Sequence, residues 1–195
     1  MASDVDIANT ALSHIGEDAL VVAMSPPDGS VQAQHCARFW PIARAELLEV
    51  FEWSFAARRA TALAETTSDS DAWLFRYTLP GDCLKPRKVL AQGQTDERKG
   101  ADFLVMERNL YTNEENPTLI YTVLVTDPSK FSPTFVACAG YLLASYLAGP
   151  ILKKPTAGQA YHDMAMQRGK GAAAINANAA QSEQHDAPAA WMAQR

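Results

Sequence analysis

Few residues in this chain of 195 have the types and spacing that catalysis requires. His35 and Cys36 could supply a base and a thiol nucleophile. Adjacent side chains on a helix, however, point about 100° apart, so they do not readily form the hydrogen-bonded pair that an activated thiol needs. We therefore interpret Cys36 as a small core residue.

Carboxylates offer a second possibility. Glu46, Glu49 and Glu52 recur at intervals of three residues, a spacing that is typical of a solvated helix face. Either Glu46 or Glu49, together with Asp82, would be the acid and base of a glycoside hydrolase. This pairing is the enzymatic alternative to a structural function.

Metal and cofactor motifs are not evident in the sequence. The histidines and cysteines show no metal-ligand spacing, and GxGxxG, GxxxxGK[ST] and GxSxG motifs do not occur. Three widely separated cysteines favour free thiols in a reducing compartment. We predict no catalytic, cofactor or metal site, and hence a binding or structural protein rather than an enzyme. The residues concerned are His14, His35, His162, His185, Cys36, Cys83 and Cys138.

The charge is unevenly distributed. The net charge of −5 disfavours general affinity for nucleic acid, because phosphate binding needs a basic surface. Residues 150–195 nevertheless carry five Lys/Arg against three Asp/Glu. No apolar run approaches the ~20 residues that span a bilayer, so we expect no membrane association.

Three helices must position these residues. Periodic apolar residues and capping signals predict helices over about 4–15, 31–52 and 132–152. Ser3, Ser30 and Ser132 are the expected N-caps, and Pro41 is expected to kink the second helix. Its aromatic C-terminal end, with Phe51 and Trp53, is interpreted as core.

The central residues, about 73–127, contain short β-rich runs separated by turn formers, which predict an antiparallel meander of three or four strands. Residues 54–65 fit a helix by alanine content and a strand by alternation, and both remain open. The expected fold class is α+β, mainly α: a helical bundle with a small antiparallel β-sheet insertion and an extended C-terminal arm.

The predicted domains are residues 1–154 and an alanine-rich arm, 155–195. Thirteen of the arm's 41 residues are alanine, and Ile175 is its only Leu, Ile, Val or Phe. Because so little apolar area can hold the arm to a core, we expect it to become ordered on a partner.

Six segments occur in a recognisable order along the chain. They are ALSHIGED (11–18), WPIARAELLEVFEWSFAARRATALAE (40–65), YTLPGDCLKPRKV (77–89), LYTN (110–113), IYTVLVTDPSKFSPTF (120–135) and LLASYLAGPILK (142–153). Together they resemble the tail tubular protein A family, the head-to-tail adaptors of short-tailed phages. The resemblance covers about residues 7–153. It departs at Trp40, where tyrosine is commoner, and at Lys85-Pro86, where arginine is frequent.

The resemblance implies a structural virion protein, assembled in the host cytoplasm and located in the virion tail. Twelve copies would form a ring between the portal and a nozzle protein resembling tail tubular protein B, with DNA passing through the lumen without specific binding. The arm would bind the portal. Its expected contact residues are Lys153, Lys154, Tyr161, Met164, Arg168, Lys170, Ile175 and Trp191.

Two other classes of function remain. Some adaptor-like tail proteins are linked with cell-wall hydrolysis, which makes a tail-associated glycosidase the alternative. A free DNA- or protein-binding regulator is disfavoured by the acidic charge.

Overall fold

The computed structural model describes residues 2–185 except 19, 62 and 67–71, and only the backbone at 155 and 174–185. The chain divides into a helical unit, residues 1–54 with 127–195, and a sheet unit, residues 55–126. The boundary predicted from the sequence lay instead at residue 154. The helices are α1 (Asp4–His14), α2 (Val31–Val50), α3 (Pro133–Ala148) and α4 (Pro155–His185).

The helix starts follow from local hydrogen bonding. The Ser3 hydroxyl accepts from the Asp6 backbone N–H, and the Asp6 carboxylate accepts from the Ser3 N–H, which completes a capping box. Ser30 and Ser132 cap α2 and α3 in the predicted way. These bonds confirm the three predicted N-caps. Helix α2 continues through Pro41, which lies on its exposed side.

The core of the helical unit lies where α1 and α2 pack against α3. The apolar stripe predicted on α2 is buried, and so is most of the stripe on α3. Trp53, 2% exposed, packs edge-on against Phe135 at 5.1 Å between ring centroids. Its indole N–H donates to the Leu47 carbonyl at 2.8 Å. The aromatic end of α2 is thus core, as predicted.

The sheet unit contains two antiparallel sheets. Strand β7 is central in the three-stranded sheet, ordered β1-β7-β4, and five of its six residues are buried. The four-stranded sheet is ordered β2-β3-β6-β5. The strands are β1 (Ala57–Ala60), β2 (Ala64–Thr66), β3 (Phe75–Thr78), β4 (Cys83–Leu90), β5 (Phe103–Met106), β6 (Asn109–Thr112) and β7 (Thr118–Val123).

The predicted fold class is wrong. The described residues form four helices and seven strands, with 43% helix and 22% strand, which is a mixed α/β fold and not a helical bundle with a small sheet. The ambiguous segment 54–65 contributes β1 and β2 because β7 and β3 offer them strand partners. Within the predicted β-rich region, residues 103–112 form the β5–β6 hairpin, which turns at Glu107 with φ 54°.

The extended arm also needs correction. Residues 156–173, where side chains are described, belong to α4, which packs along α3. Ala165 and Ala172 are buried although neither is large. A helix of small residues can hold to a core because its backbone approaches the neighbouring helix closely, so low apolar content did not mean an unattached segment.

Candidate functional site

Helix α4 carries most of the predicted contact residues, and its inner face is built of small side chains. A Cβ atom at Gly158 would lie 2.8 Å from the Ser145 carbonyl oxygen. A Cβ at Gly169 would overlap the ring of Phe51. Together with the buried Ala165, these glycines let the α4 backbone approach α3 and the end of α2. The inner face of α4 therefore packs against the other helices of the helical unit.

Two polar contacts join α4 to the C-terminal end of α1. The Tyr161 hydroxyl donates to the His14 carbonyl oxygen at 2.8 Å. The Arg168 guanidinium lies 4.9 Å above the ring of Tyr141, which stacks on the His14 imidazole at 4.0 Å. Burial, and then the nearby Arg168 charge, lower the pKa of His14. The neutral imidazole therefore suits this stack.

A third contact joins α4 to α2 and α3. The Tyr146 hydroxyl donates to Glu46 Oε2 at 2.6 Å, and His162 Nε2 lies 3.7 Å from Glu46 Oε1. Asp163 lies 3.7 Å from the other ring nitrogen of His162. Burial and the bond to Glu46 raise the pKa of Tyr146 to about 12, so the tyrosine stays a donor. This network helps to hold α4 against α2 and α3, and both oxygens of the Glu46 carboxylate take part in it.

The predicted portal residues fall into three groups. Tyr161 and Arg168 make the internal contacts above. Exposed side chains are found at Lys153, Lys154, Met164 and Lys170. The side chain of Ile175, and Trp191 altogether, lie outside the residues that the structure describes. Met164 and Lys170 are thus accessible on the outer face of α4, where Asp163 is also exposed, while Lys153 and Lys154 lie just before the helix.

The carboxylates considered for hydrolysis have structural partners. Asp82 belongs to the sheet unit, where it accepts from Arg58 Nη1 at 2.6 Å and from the Tyr121 hydroxyl at 3.1 Å. Glu46 belongs to the helical unit and bonds Tyr146. Glu49 is exposed on α2.

The adjacent arginines also have carboxylate partners. Arg58 pairs with Asp82 and Arg59 with Glu97, both within the sheet unit. Their charges are thereby balanced by neighbouring acids.

The cysteines are buried free thiols. Burial raises the pKa of Cys36 and of Cys83 to about 11, and it raises the pKa of Cys138 as well. Thiols in this state react slowly, which agrees with interpreting Cys36 as core. Over the part of the chain that the structure describes, no cluster of three or more His, Cys, Asp or Glu could hold a metal ion.

Among the helices of the described residues, none is both long enough and apolar enough to span a membrane.

Sequence reasoning missed one surface and one network. Residues 20–31 expose three apolar side chains, Leu20, Val22 and Val31, in a loop that looked like an ordinary connection. Glu46 was noted only as a surface acid, although it links α2 to Tyr146 on α3 and His162 on α4. Nothing in the local pattern marks a bond between residues 100 positions apart.

Comparison with known proteins adds no relative. No protein-family profile matches the chain, and no curated protein is significantly similar to it in sequence.

Proposed function

We propose that this chain is a structural virion protein: a head-to-tail adaptor whose copies form a twelve-fold ring between the portal and the tail nozzle of a short-tailed phage. DNA passes through the ring without specific binding. The protein acts in the virion tail after assembly in the host cytoplasm, and it has no catalytic role.

The ordered set of six segments that resembles the tail tubular protein A family carries this proposal. In the structure these segments supply the end of α1, the second half of α2, β1 and most of β2, the end of β3 with most of β4, part of β6, most of β7 and both ends of α3. They therefore contribute to both units, so the resemblance is not limited to a single helix pattern.

The anchoring of α4 changes where the portal contact is expected. Residues 155–173 hold α4 to the helical unit through Gly158, Gly169 and Tyr161. We therefore propose that the portal-binding segment begins after Ala173 and includes Ile175 and Trp191. The alanine-rich composition beyond residue 173 suits a helix that enters a narrow groove between portal subunits.

Truncation tests this assignment. A chain that ends after Ala173 retains the described contacts of α4, so we expect it to fold and melt like the parent. It should not co-sediment with purified portal rings of the same virus, whereas the full chain should. Full portal binding by the truncated chain would contradict the assignment.

A chain that ends after Lys154 is the matched comparison. It lacks all of α4 and exposes the α3 surface that α4 covers. We expect it to unfold at a lower temperature or to aggregate, measured by circular dichroism and light scattering. If it were as stable as the parent, α4 would be dispensable for the fold and the boundary at residue 154 would be restored.

A further inference from the structure

Side-chain hydrogen bonds fix part of the loop between α1 and α2. The Asn9 side chain brackets Val21, since its amide donates to the Val21 carbonyl at 3.0 Å and its oxygen accepts the Val21 N–H at 2.8 Å. Asp28 accepts from the Val22 N–H at 2.8 Å and from both the N–H and the hydroxyl of Ser30. These bonds join Val21 to α1 and Val22 to the residues just before α2.

The hydrogen-bonded loop leaves large apolar side chains exposed to solvent. Val21 and Met24 are buried, whereas Leu20 and Val22 are 74% and 79% exposed. Val31, which follows the Ser30 cap, is 61% exposed. We name Leu20, Val22 and Val31 the apolar knob. An ordered loop that presents adjacent large apolar groups is typical of a protein–protein contact.

The surroundings of the knob are acidic. Residues 15–37 contain Glu17, Asp18 and Asp28 and no lysine or arginine. Asp18 and Asp28 are exposed. Hydrogen bonds from Ser30 and then Val22 lower the pKa of Asp28 to about 2, so this carboxylate is charged at neutral pH. A complementary surface would be apolar with a basic rim.

Residues 153–173 combine a net positive charge with a small apolar patch on the outer face of α4. They carry four cations and one carboxylate, Asp163. Lys153 and Lys154 precede α4, Lys170 and Asp163 are exposed on the helix, and Arg168 lies above the Tyr141 ring. Met164 is 46% exposed and shares a helix face with the small exposed residues Ala160 and Gly171. A knob of branched aliphatic side chains fits a helix face where small residues leave room beside a flexible methionine.

We propose that the apolar knob of one copy docks on the outer face of α4 of the next copy. Two different surfaces of one chain then meet head to tail, the type of contact that closes into a ring when the rotation allows. The inference deepens the proposed function by assigning the ring's subunit contact, but the contact between two copies can be tested alone.

Cross-linking through introduced cysteines tests the contact. The native thiols are buried and react slowly, so a short bis-maleimide reagent should select cysteines placed on the surface. We would mix Val22→Cys protein with Met164→Cys protein across a concentration series. Covalent dimers should form in the mixture and not in either variant alone. A chain with both substitutions should give a ladder of oligomers.

A matched control uses Leu74→Cys, at a position 72% exposed in the sheet unit. Mixed with Met164→Cys, it should give only background product. Equal yields from Leu74→Cys and Val22→Cys would show random collision and overturn the proposal. So would dimers from Val22→Cys alone, because knob would then meet knob, or cross-links that need added portal, because the portal would then be the occupant.

Charge reversal separates complementarity from apolar contact. Asp18→Lys or Lys170→Glu, each made in the cysteine background, should lower the yield roughly two- to fivefold, the range of one exposed ion pair. Mixing copies that carry Asp18→Lys with copies that carry Lys170→Glu should restore the yield of cross-linked dimer. Yields that ignore both changes would overturn the proposal. Cross-linking without portal binding would support the contact between copies and contradict the adaptor function. Portal binding without cross-linking would support the adaptor function and contradict this contact.

Discussion

Trp53 illustrates how one side chain serves both packing and polarity. Its ring fills the space between Phe51 and Phe135, and its indole N–H donates to the Leu47 carbonyl at 2.8 Å. The same carbonyl accepts the Phe51 N–H at 3.3 Å, so the indole supplies a second donor and links the end of α2 to the core. Trp53 is therefore a structural residue, and no partner contact needs to be assigned to it.

We predict that Trp53→Ala costs about 3–5 kcal/mol of unfolding free energy, because it leaves a cavity and removes the bond to Leu47. Trp53→Phe retains an aromatic ring and should cost less. Urea denaturation followed by circular dichroism measures both variants. A Trp53→Ala protein that unfolds like the parent but fails to assemble would show that Trp53 serves an interface instead.

At the scale of elements, the packing of α4 depends on a glycine, because a side chain at that position would collide with a neighbouring residue. Gly169 faces Phe51, which is itself packed edge-on against Trp53 and has little room to move. Gly171, two residues further on, has no atom within 4 Å of the position where a Cβ would lie. One glycine is required by packing, whereas the other only makes the helix more flexible.

These two glycines give a matched pair of substitutions. Gly169→Ala should lower the unfolding free energy by roughly 1–3 kcal/mol through overpacking against Phe51. Gly171→Ala should raise it by about 0.5–1 kcal/mol, because alanine favours helix and restricts the unfolded chain. Equal effects of the two substitutions, measured by urea denaturation, would mean that α4 does not pack on Phe51.

At the scale of the whole molecule, the acidic groups considered for hydrolysis are distributed between two units and bonded within each. Asp82 holds Arg58 and Tyr121 in the sheet unit, while Glu46 holds Tyr146 in the helical unit. These bonds account for the carboxylates in structural terms, which favours the adaptor function over the glycosidase.

We predict that the purified protein hydrolyses neither peptidoglycan nor DNA, measured by release of reducing sugar and by gel electrophoresis. Glu46→Gln should lower the melting temperature, because the charged acceptor of Tyr146 is lost. Glu52→Gln, at an exposed position just beyond α2, should change it little. Hydrolysis that disappears in Glu46→Gln would reverse the assignment and support the alternative function.

Local signals in the sequence determined much of the helical unit. Ser3 with Asp6, Ser30, and Ser132 with Pro133 mark helix starts because a cap bonds only to residues within one turn. The buried stripes of α2 and α3 were likewise predicted, since helical periodicity repeats over many residues. The proposed adaptor function also rests on the sequence, through the resemblance of six ordered segments.

Only the tertiary structure decided which partners distant residues find. Residues 57–60 form a strand because β7, some sixty positions later, pairs with them, although alanine alone would also allow a helix. Helix α4 packs through Gly158 and Gly169, and hydropathy gives no weight to a missing side chain. The bond between Glu46 and Tyr146 spans 100 residues. Such contacts depend on how the elements meet in space, which no local pattern of residues encodes.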